Sequence, residues 1–503
     1  MSSQAGVLAT SQDRAALMLR RLPSPTAIFI GVLGVILVSI TVLKGTRDPD
    51  YFWHLTTGRY IAQHGIPSVD PFSFTWAGKP WTLHEWLSEL GLYAVVSAVG
   101  TVGAMLLFGL IATAAFGLLA GLLRRSGVRP LVIVLVCALG GWVLIPYLTV
   151  RPQAISWLLL AGLVAILFSL RADRPRRSLI LIPYFIAWAN LHGLWVIGLG
   201  VFGLYLLFTL IGRTPMAPAW RWMLAAFGGC LLATALTPAG PAGILYPLRY
   251  IQPGNWGLAN IQEWQSPNFH DAVNWGFLAL IVALLLNGGR STPAWLVGAS
   301  VVGLVLGLAS VRNEPIAAIL AVPSLGFGIE ERLGRLRPRR EPRRTSMALG
   351  RRVIELVAGA VVAVAAALIL LPSSPLRIVQ VPADPYPAQA VTVLEHMKPD
   401  VSVLAEYGWG GYVISRIYDS GGRVFVDGRN DMYSEQILND YSTIRDVSGE
   451  WASLTQKYGV EAVLFPPYAT IVKGPAIDAG WCEAYRDATS VLLVKDCSLL
   501  DKR

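Results

Sequence analysis

The sequence predicts a polytopic α-helical membrane protein of about eleven spans with a small α/β domain at its C-terminus, outside the membrane. Of its 503 residues, 54% are hydrophobic and only 14% are charged. The mean hydropathy is +0.54, which excludes an ordinary soluble protein. Near residue 373 the pattern changes, because short alternating strand and helix signals replace the long apolar runs.

Apolar stretches that approach the roughly 20 residues of a membrane-spanning helix recur between residues 27 and 372. The first of them follows a polar segment, residues 1–26, and lacks a small-residue cleavage site, so it is interpreted as a retained helix. The predicted spans lie near residues 27–44, 103–123, 130–147, 154–170, 178–194, 195–212, 222–237, 273–287, 293–310, 314–329 and 353–372.

The distribution of basic residues predicts the orientation. The N-terminal segment 1–26 is basic, which places it in the cytoplasm and the first loop, residues 45–102, on the outer side. The apolar stretch 84–99 has one polar helical face, so we expect it to lie on the outer surface rather than to span. The most basic run, residues 332–352, then falls inside and the C-terminal domain outside. The expected location is the plasma membrane, with many passes.

Residues 373–503 are predicted to form the extracytoplasmic α/β domain. Its expected strands are residues 401–406, 423–428 and 462–467, separated by helices at 409–418, 434–447 and 450–459, and a closing hairpin is formed by 481–487 and 490–496. Four cysteines are present, and no pair has metal-ligand spacing. The sequence leaves open whether Cys482 and Cys497 form a disulfide, since their strand registers are offset.

The first outer loop concentrates titratable side chains beside the bilayer: Asp48, Asp50, His54, Asp70, His84 and Glu85. Because burying such groups without partners is costly, this concentration indicates a site. Asp50 and His54 are four residues apart and would share one face of a helix starting there. We expect one of Asp48 and Asp50 to cap that helix and the other to be functional. The D-x-D pair could also hold a divalent metal.

Short polar connections at the outer ends of the spans supply further candidates. Arg151 and Arg312 are basic residues where the positive-inside rule expects few. Guanidinium groups present donors that match phosphate oxygens, so the pair favours anion binding over snorkelling or helix-end capping. His192 and Glu263 lie in the same set of connections.

The first outer loop contains DPDYFWHLTTGRYIAQHG, paired acids followed by a juxtamembrane helix, and then KPWTLHEWLSELGLY. With the cytoplasmic N-terminus, the multi-span body and the outer C-terminal domain, this arrangement resembles the GT-C class of integral-membrane glycosyltransferases. The class includes protein O-mannosyltransferases, aminoarabinose transferases and oligosaccharyltransferases. WGGYVISRIY and RVFVDGRNDMY are similar to segments of an uncharacterised bacterial branch. The acids form D-x-D rather than an adjacent pair, which leaves open which aspartate is the base.

The resemblance implies transfer of a sugar from a polyprenyl-phosphate or diphosphate donor to an acceptor glycan, lipid or protein on the outer face. The leaving group is an anion, which Arg151 and Arg312 would stabilise. The acceptor hydroxyl needs a base, assigned to Asp50 with Asp48 as the alternative. Candidates for binding sugar or acceptor are His54, His84, Glu85, His192 and Glu263, for each of which a satisfied interfacial polar residue is an equal alternative. Membrane lipid is an expected partner and nucleic acid is not; no cofactor is certain, and a divalent metal stays open.

Two other classes of protein fit the same architecture. A transporter or lipid-linked-sugar flippase would also have many spans, but the predicted spans carry no ionisable residue deep within them and no matching broken helices. A non-enzymatic envelope assembly protein would use the outer domain, with DGRND at 427–431 as a binding surface. The alternative for that motif is a turn at a strand end.

Overall fold

The computed structural model describes residues 24–247, 255–287, 292–335, 386–398 and 400–502. Almost all of the N-terminal segment 1–26, the predicted span at 353–372 and the predicted domain boundary at 373 lie outside these residues. The structure is that of a helical membrane domain joined to a C-terminal domain built on a small mixed sheet.

Each predicted span up to residue 329 coincides with a helix. Among the described residues, three helical stretches are long and apolar enough to cross a bilayer, Thr26–Lys44, Trp86–Arg125 and Pro130–Tyr147, and several shorter helices are also apolar. The total number of spans stays a prediction. The helices of this domain are α1 Pro25–Lys44, α2 Tyr51–His64, α3 Trp86–Arg125, α4 Pro130–Leu144, α5 Gln153–Ser169, α6 Leu181–Leu191, α7 Trp195–Leu210, α8 Trp220–Ala233, α9 Ala242–Leu245, α10 Trp256–Asn260, α11 Trp275–Asn287, α12 Ala294–Ala309 and α13 Glu314–Arg335.

Helix α3 is interrupted at Gly100, whose φ of 75° and ψ of 174° are not helical. The break separates an N-terminal part, which matches the amphipathic stretch 84–99, from the apolar part that packs against α1 and α5. Helix α2 packs closely on the first part, because a Cβ at Gly58 would lie 2.0 Å from the Glu89 carbonyl oxygen. The separate N-terminal part agrees with a non-spanning helix, whose position relative to the bilayer stays a prediction.

The C-terminal domain contains a five-stranded sheet in the order β2-β1-β3-β5-β4. β1 is parallel to β2 and β3, whereas β5 is antiparallel to β3 and β4, as the predicted hairpin requires. Its elements are α14 Ala388–Met397, β1 Ser402–Ala405, α15 Gly410–Ile417, β2 Arg423–Val424, α16 Glu435–Arg445, α17 Trp451–Lys457, β3 Ala462–Phe465, α18 Pro475–Asp478, β4 Cys482–Arg486 and β5 Val491–Val494. Cys482 and Cys497 form a disulfide with a Cα–Cα distance of 5.5 Å.

The predicted strand at 423–428 is shorter in the structure, because the chain turns after Val426. The Asp427 carboxylate accepts hydrogen bonds from the Arg429 backbone N–H at 3.0 Å and from Arg429 Nε at 2.7 Å, which fixes this turn. Arg429 is 2% exposed, and its Nη1 donates to Asp70 Oδ1 of the first outer loop at 2.7 Å. This part of DGRND is therefore a buried connection between the two domains rather than an open binding surface.

The first outer loop also extends the edge of the sheet. Ser73 forms a parallel bridge with Val424, and the Phe74 N–H donates to the Val424 carbonyl at 3.0 Å. On the other side of the loop, a Cβ at Gly411 would lie 2.9 Å from the Pro49 carbonyl oxygen, so α15 packs closely on the start of α2. These contacts bring the C-terminal domain directly over Asp50.

Candidate functional site

A cavity of about 300 Å³ lies between the membrane domain and the C-terminal domain. Its walls come from the first outer loop, from the outer connections between helices, and from two turns of the C-terminal domain. It brings together nearly all the residues that the sequence singled out: Asp50, His54, His84, Glu85, Arg151, His192, Glu263 and Arg312. Asp48 lies directly behind this wall and contacts Asp50 and Arg151.

Asp50 immediately precedes α2, and its side chain is 14% exposed. Its Oδ1 accepts a hydrogen bond from Trp53 Nε1 at 2.9 Å, and its Oδ2 forms an ion pair with Arg151 Nη2. Burial raises the pKa of Asp50 to about 7, although Arg151 opposes this shift. The nearby carboxylates of Asp48 and Glu263 contribute to this rise. A carboxylate of this proton affinity can accept a proton near neutral pH.

Asp48 holds the turn that leads into α2. Its Oδ1 accepts from the Asp50 backbone N–H at 3.0 Å, and its Oδ2 accepts from Thr149 Oγ1 at 2.7 Å. The expectation that one of the two aspartates caps the helix through its side chain is wrong. Asp50 has the capping position, but its φ of −84° and ψ of −18° lie in the helical region and its side chain makes no capping hydrogen bond.

The two predicted anion-binding arginines differ in their surroundings. Arg151 contacts three carboxylates: Asp48 at 3.6 Å, Glu263 at 2.8 Å, and Asp50. Arg312 Nη1 reaches Glu263 at 3.2 Å, its guanidinium lies 5.5 Å from the Trp264 ring centroid, and its side chain is 28% exposed. Burial disfavours the charged form of Glu263, but Arg151 and Arg312 outweigh burial and lower its pKa to about 2. Arg312 is therefore the more available cation.

A second group of polar residues surrounds Glu85, which is 6% exposed. Its Oε1 lies 3.2 Å from both His84 Nε2 and His192 Nε2, and its Oε2 lies 3.7 Å from His54 Nδ1. His192 Nδ1 accepts from the Leu194 backbone N–H at 3.1 Å, so the ring proton is on Nε2 and points to Glu85.

The site contains two groups of side chains with ligand atoms for a divalent metal. At the D-x-D pair, the Arg151 guanidinium contacts both Asp48 and Asp50 and supplies the positive charge there. His54, Glu85 and Glu89 offer three ligand atoms within 4.8 Å of one another, and such nitrogen and oxygen ligands suit Zn²⁺. The second group fits a metal better than the first.

A second cavity of about 350 Å³ adjoins the first and shares His84, Glu85, His192, Trp264 and Arg312 with it. Its other walls are largely apolar and come from the outer ends of α7, α9 and α12, among them Leu194, Trp195, Val196 and Ile197. The arrangement places Arg312 at the junction of an apolar cavity and a polar one.

Sequence reasoning missed the contribution of the C-terminal domain to the site. Tyr407, Gly408, Gly428, Asn430 and Asp431 line the same cavity as Asp50. A Cβ at Gly428 would lie 2.3 Å from Asp50 Oδ1, so glycine is needed where the two domains meet. The motifs YGWGG and DGRND were visible in the sequence, but nothing in their spacing indicated that they face the first loop.

No protein-family model and no curated protein matches the sequence. Solved structures do match it. They include the oligosaccharyltransferase AglB from Archaeoglobus fulgidus (TM-score 0.58, 11% identity, 88% of this chain and 69% of AglB covered). They also include ArnT from Cupriavidus metallidurans (TM-score 0.53, 13% identity, 94% of this chain and 98% of ArnT). A third is the mycobacterial arabinofuranosyltransferase AftD (TM-score 0.54, 13% identity, 93% of this chain and 40% of AftD). All three neighbours are GT-C glycosyltransferases.

The chain has the GT-C fold. The expected resemblance is thereby confirmed at the level of architecture, over nearly the whole chain. Within this fold the loop after the first helix, the connections between later helices and the C-terminal domain converge on one cavity, which contains the predicted base Asp50.

Proposed function

We propose that the protein is a membrane glycosyltransferase that moves a sugar from a polyprenyl-phosphate-linked donor to an acceptor on the outer face of the membrane. The observation that carries the proposal is the position of Asp50. Its carboxylate lines a polar cavity that adjoins an apolar one, and Arg312 lies at the junction of the two cavities. A lipid-linked sugar needs this combination, since its chain is apolar, its phosphate is anionic and its sugar is polar.

In this proposal Asp50 accepts the proton of the acceptor hydroxyl while that oxygen attacks the anomeric carbon. The bond from the anomeric carbon to the phosphate oxygen breaks, and the leaving phosphate keeps the electron pair. It leaves as an anion, so no general acid is required, in contrast to ordinary glycoside hydrolysis. Arg312 stabilises the leaving phosphate, and Arg151 holds Asp50 in place and shares its charge with three carboxylates.

Glu85 and the three histidines around it line another part of the cavity. His54, His84, Glu85 and His192 form a connected set of buried or half-buried polar groups, which suits binding of sugar hydroxyls or of a divalent cation. The neighbour AglB was solved in complex with an inhibitory peptide and a dolichol-phosphate. A lipid phosphate in the corresponding fold supports a polyprenyl-phosphate donor here.

The test is transfer of radiolabelled sugar from synthetic polyprenyl-phosphate pentoses and hexoses by the purified protein in lipid nanodiscs. Asp50→Asn keeps the size of the side chain but cannot accept a proton, and general-base assistance is worth about 10²–10⁴ in rate. We expect Asp50→Asn to lower the rate of transfer by this factor and to retain binding of the donor. Asp446→Asn is a matched control, because Asp446 is exposed and pairs with its neighbour Arg445.

Wild-type transfer by a well-folded Asp50→Asn protein would remove Asp50 as the base. If Asp48→Asn alone were inactive and folded, the role would pass to Asp48. Movement of intact lipid-linked sugar across the membrane of proteoliposomes that contain the protein, without transfer, would favour the flippase alternative instead.

A further inference from the structure

The wall that the C-terminal domain contributes to the cavity contains two buried polar atoms without a hydrogen-bond partner among the described residues. Asn430 is 7% exposed, and its Oδ1 is buried without a hydrogen-bond partner among the described residues. The same holds for the hydroxyl group of Tyr407. Asp431 is half-buried and its carboxylate is adjacent to both the cavity and its own backbone N–H. Buried polar groups are nearly always satisfied, so this cluster requires an explanation.

In the opposite wall, which the membrane domain contributes, the charged side chains have partners. Asp50, Glu85, Glu263, Arg151 and Arg312 each have an ion-pair or charged hydrogen-bond partner within that wall. The charged groups there are already arranged with respect to one another, as expected for an electrostatic site that is formed before the ligand arrives. The unsatisfied hydrogen-bonding capacity of the cavity is therefore concentrated on the side of the C-terminal domain.

We propose that Tyr407, Asn430 and Asp431 form a recognition wall that binds the hydroxyl groups of a sugar ring. An amide oxygen and a carboxylate accept hydrogen bonds, and a phenol both donates and accepts, so a ligand for this wall must carry several donors close together. Sugar hydroxyls meet that need, since each can donate to one group and accept from another. All three residues line the cavity, and the broad terminal torsion of Asn430 lets its buried Oδ1 turn toward a ligand there.

The position of the wall favours the acceptor sugar over the donor sugar. The adjoining apolar cavity shares His84, Glu85, His192, Trp264 and Arg312 with the polar one, and none of the three wall residues lines it. A donor whose lipid chain occupies the apolar cavity enters from that side, which leaves the C-terminal side for the acceptor. This assignment rests on the proposed glycosyltransferase function, whereas sugar binding by the wall does not.

The first experiment measures binding of a panel of methyl pentosides and methyl hexosides to the full chain in nanodiscs by ligand-observed NMR. Asp431→Ala removes a charged acceptor, and we expect about 10- to 100-fold weaker binding of the glycosides that bind the wild type. Tyr407→Phe removes one neutral hydroxyl, and we expect about 3- to 10-fold weaker binding.

Thermal unfolding separates this role from a structural one. Because the Tyr407 hydroxyl has no described partner, Tyr407→Phe should leave the unfolding midpoint of the ligand-free protein unchanged or higher. The matched controls are Tyr441→Phe and Asp440→Ala, whose polar atoms are bonded within the domain: Tyr441 to the Ala405 carbonyl at 3.3 Å and Asp440 to Tyr458 at 2.6 Å. Both controls should lower the midpoint and retain glycoside binding.

Measuring the affinity for a polyprenyl-phosphate sugar in the same variants shows whether the wall binds the acceptor sugar or the donor sugar. Donor affinity unchanged in Asp431→Ala supports the acceptor assignment, whereas a parallel loss of donor affinity assigns the wall to the donor sugar and overturns the acceptor assignment. Wild-type glycoside binding by both Asp431→Ala and Tyr407→Phe would overturn the wall itself. Glycoside binding that depends on the wall, together with full transfer by Asp50→Asn, would retain the wall and reject the proposed chemistry.

Discussion

Asp50 owes its raised pKa first to burial, and next to the carboxylates of Asp48 and Glu263 that share one arginine with it. Arg151 contacts Asp48, Asp50 and Glu263, so its single positive charge is divided among three negative groups. Arg151 and Arg312 together lower the pKa of Glu263 to about 2, whereas the cation that opposes the burial of Asp50 is Arg151. The pKa of Asp50 therefore rises to about 7 instead of falling, as an isolated ion pair would require.

This proton affinity predicts the pH dependence of transfer. A general base works when it is deprotonated, and Asp50 with a pKa of about 7 loses its proton as the pH rises through that value. The value of kcat/KM should therefore increase about tenfold per pH unit below pH 7 and level off above it. Initial rates between about pH 5 and pH 9 give the profile. A rate that is constant from pH 5 to pH 8 would contradict the assignment.

The two arginines should differ in the kind of defect that their loss produces. Arg312→Ala should weaken donor use about ten- to a hundred-fold, the effect of one lost charge-assisted hydrogen bond, and leave stability nearly unchanged. Arg312→Lys should restore only part of the donor use, because lysine lacks the planar set of N–H donors of a guanidinium group. Arg151→Ala leaves buried carboxylates without their cation and should destabilise the protein by about 3–5 kcal/mol.

Steady-state kinetics with varied donor and thermal unfolding measure these two effects separately. An Arg312→Ala protein with wild-type KM for the donor would exclude Arg312 from phosphate binding. An Arg151→Ala protein of wild-type stability would show that the three carboxylates do not depend on Arg151.

At the scale of elements, the turn after β2 fits against the start of α2 through glycine. Gly428 has an ordinary backbone conformation, so alanine is tolerated by the backbone there, but its Cβ would lie 2.3 Å from Asp50 Oδ1 and 3.0 Å from Trp53 Nε1. Two elements nearly 380 residues apart in the chain are in van der Waals contact at Asp50, the proposed base. The C-terminal domain thus restricts the position of the Asp50 side chain through Gly428.

Gly428→Ala should consequently displace the Asp50 carboxylate and reduce transfer by about 10²-fold, the usual effect of a misplacement of about 1 Å. Stability should fall by about 1–3 kcal/mol from overpacking. Gly91→Ala in α3 is the matched control, since a Cβ there meets nothing within 4 Å. If Gly428→Ala transfers sugar as fast as Gly91→Ala, the contact does not position the base.

The elements themselves could be predicted from sequence far better than their contacts. Hydropathy located the helices up to residue 329, and alternation located β1, β3 and the hairpin, because both depend on residues close in the chain. The shortened β2 was missed, since Asp427 and Arg429 end it through contacts with Asp70 of the first loop. Likewise, the sequence placed Arg151 and Asp50 in one site, but their direct pairing and the contribution of Asn430 depend on tertiary packing.

At the scale of the whole molecule, the cavity exists because the two domains share a boundary. Asp70 pairs with Arg429 at 2.7 Å, and Phe74 extends the sheet at β2, so the first outer loop belongs structurally to both domains. In the alternative of a non-enzymatic envelope assembly protein, the C-terminal domain alone would carry the function. The structure instead places the residues of that domain around Asp50, which favours one enzyme site built from both parts.

The predicted orientation in the membrane rests on the basic residues, and the disulfide agrees with it. Cys482 and Cys497 are paired, and disulfides persist in oxidising compartments, which agrees with an outer C-terminal domain. The buried cysteines Cys137 and Cys230 should not react, so introduced cysteines can report the sidedness of exposed positions. Ser68 in the first outer loop, Ser448 in the C-terminal domain and Ser126 in the basic connection after α3 are all exposed.

We therefore expect a membrane-impermeant maleimide to label Ser68→Cys and Ser448→Cys in intact cells, and Ser126→Cys only after the cells are permeabilised. The physical reason is the positive-inside rule applied to Arg124, Arg125 and Arg129, together with the break at Gly100 that ends the non-spanning part of α3. Labelling of Ser126→Cys in intact cells would mean that the part of α3 before Gly100 crosses the bilayer. Shielding of Ser448→Cys in intact cells would place the C-terminal domain, and with it the cavity around Asp50, on the cytoplasmic side.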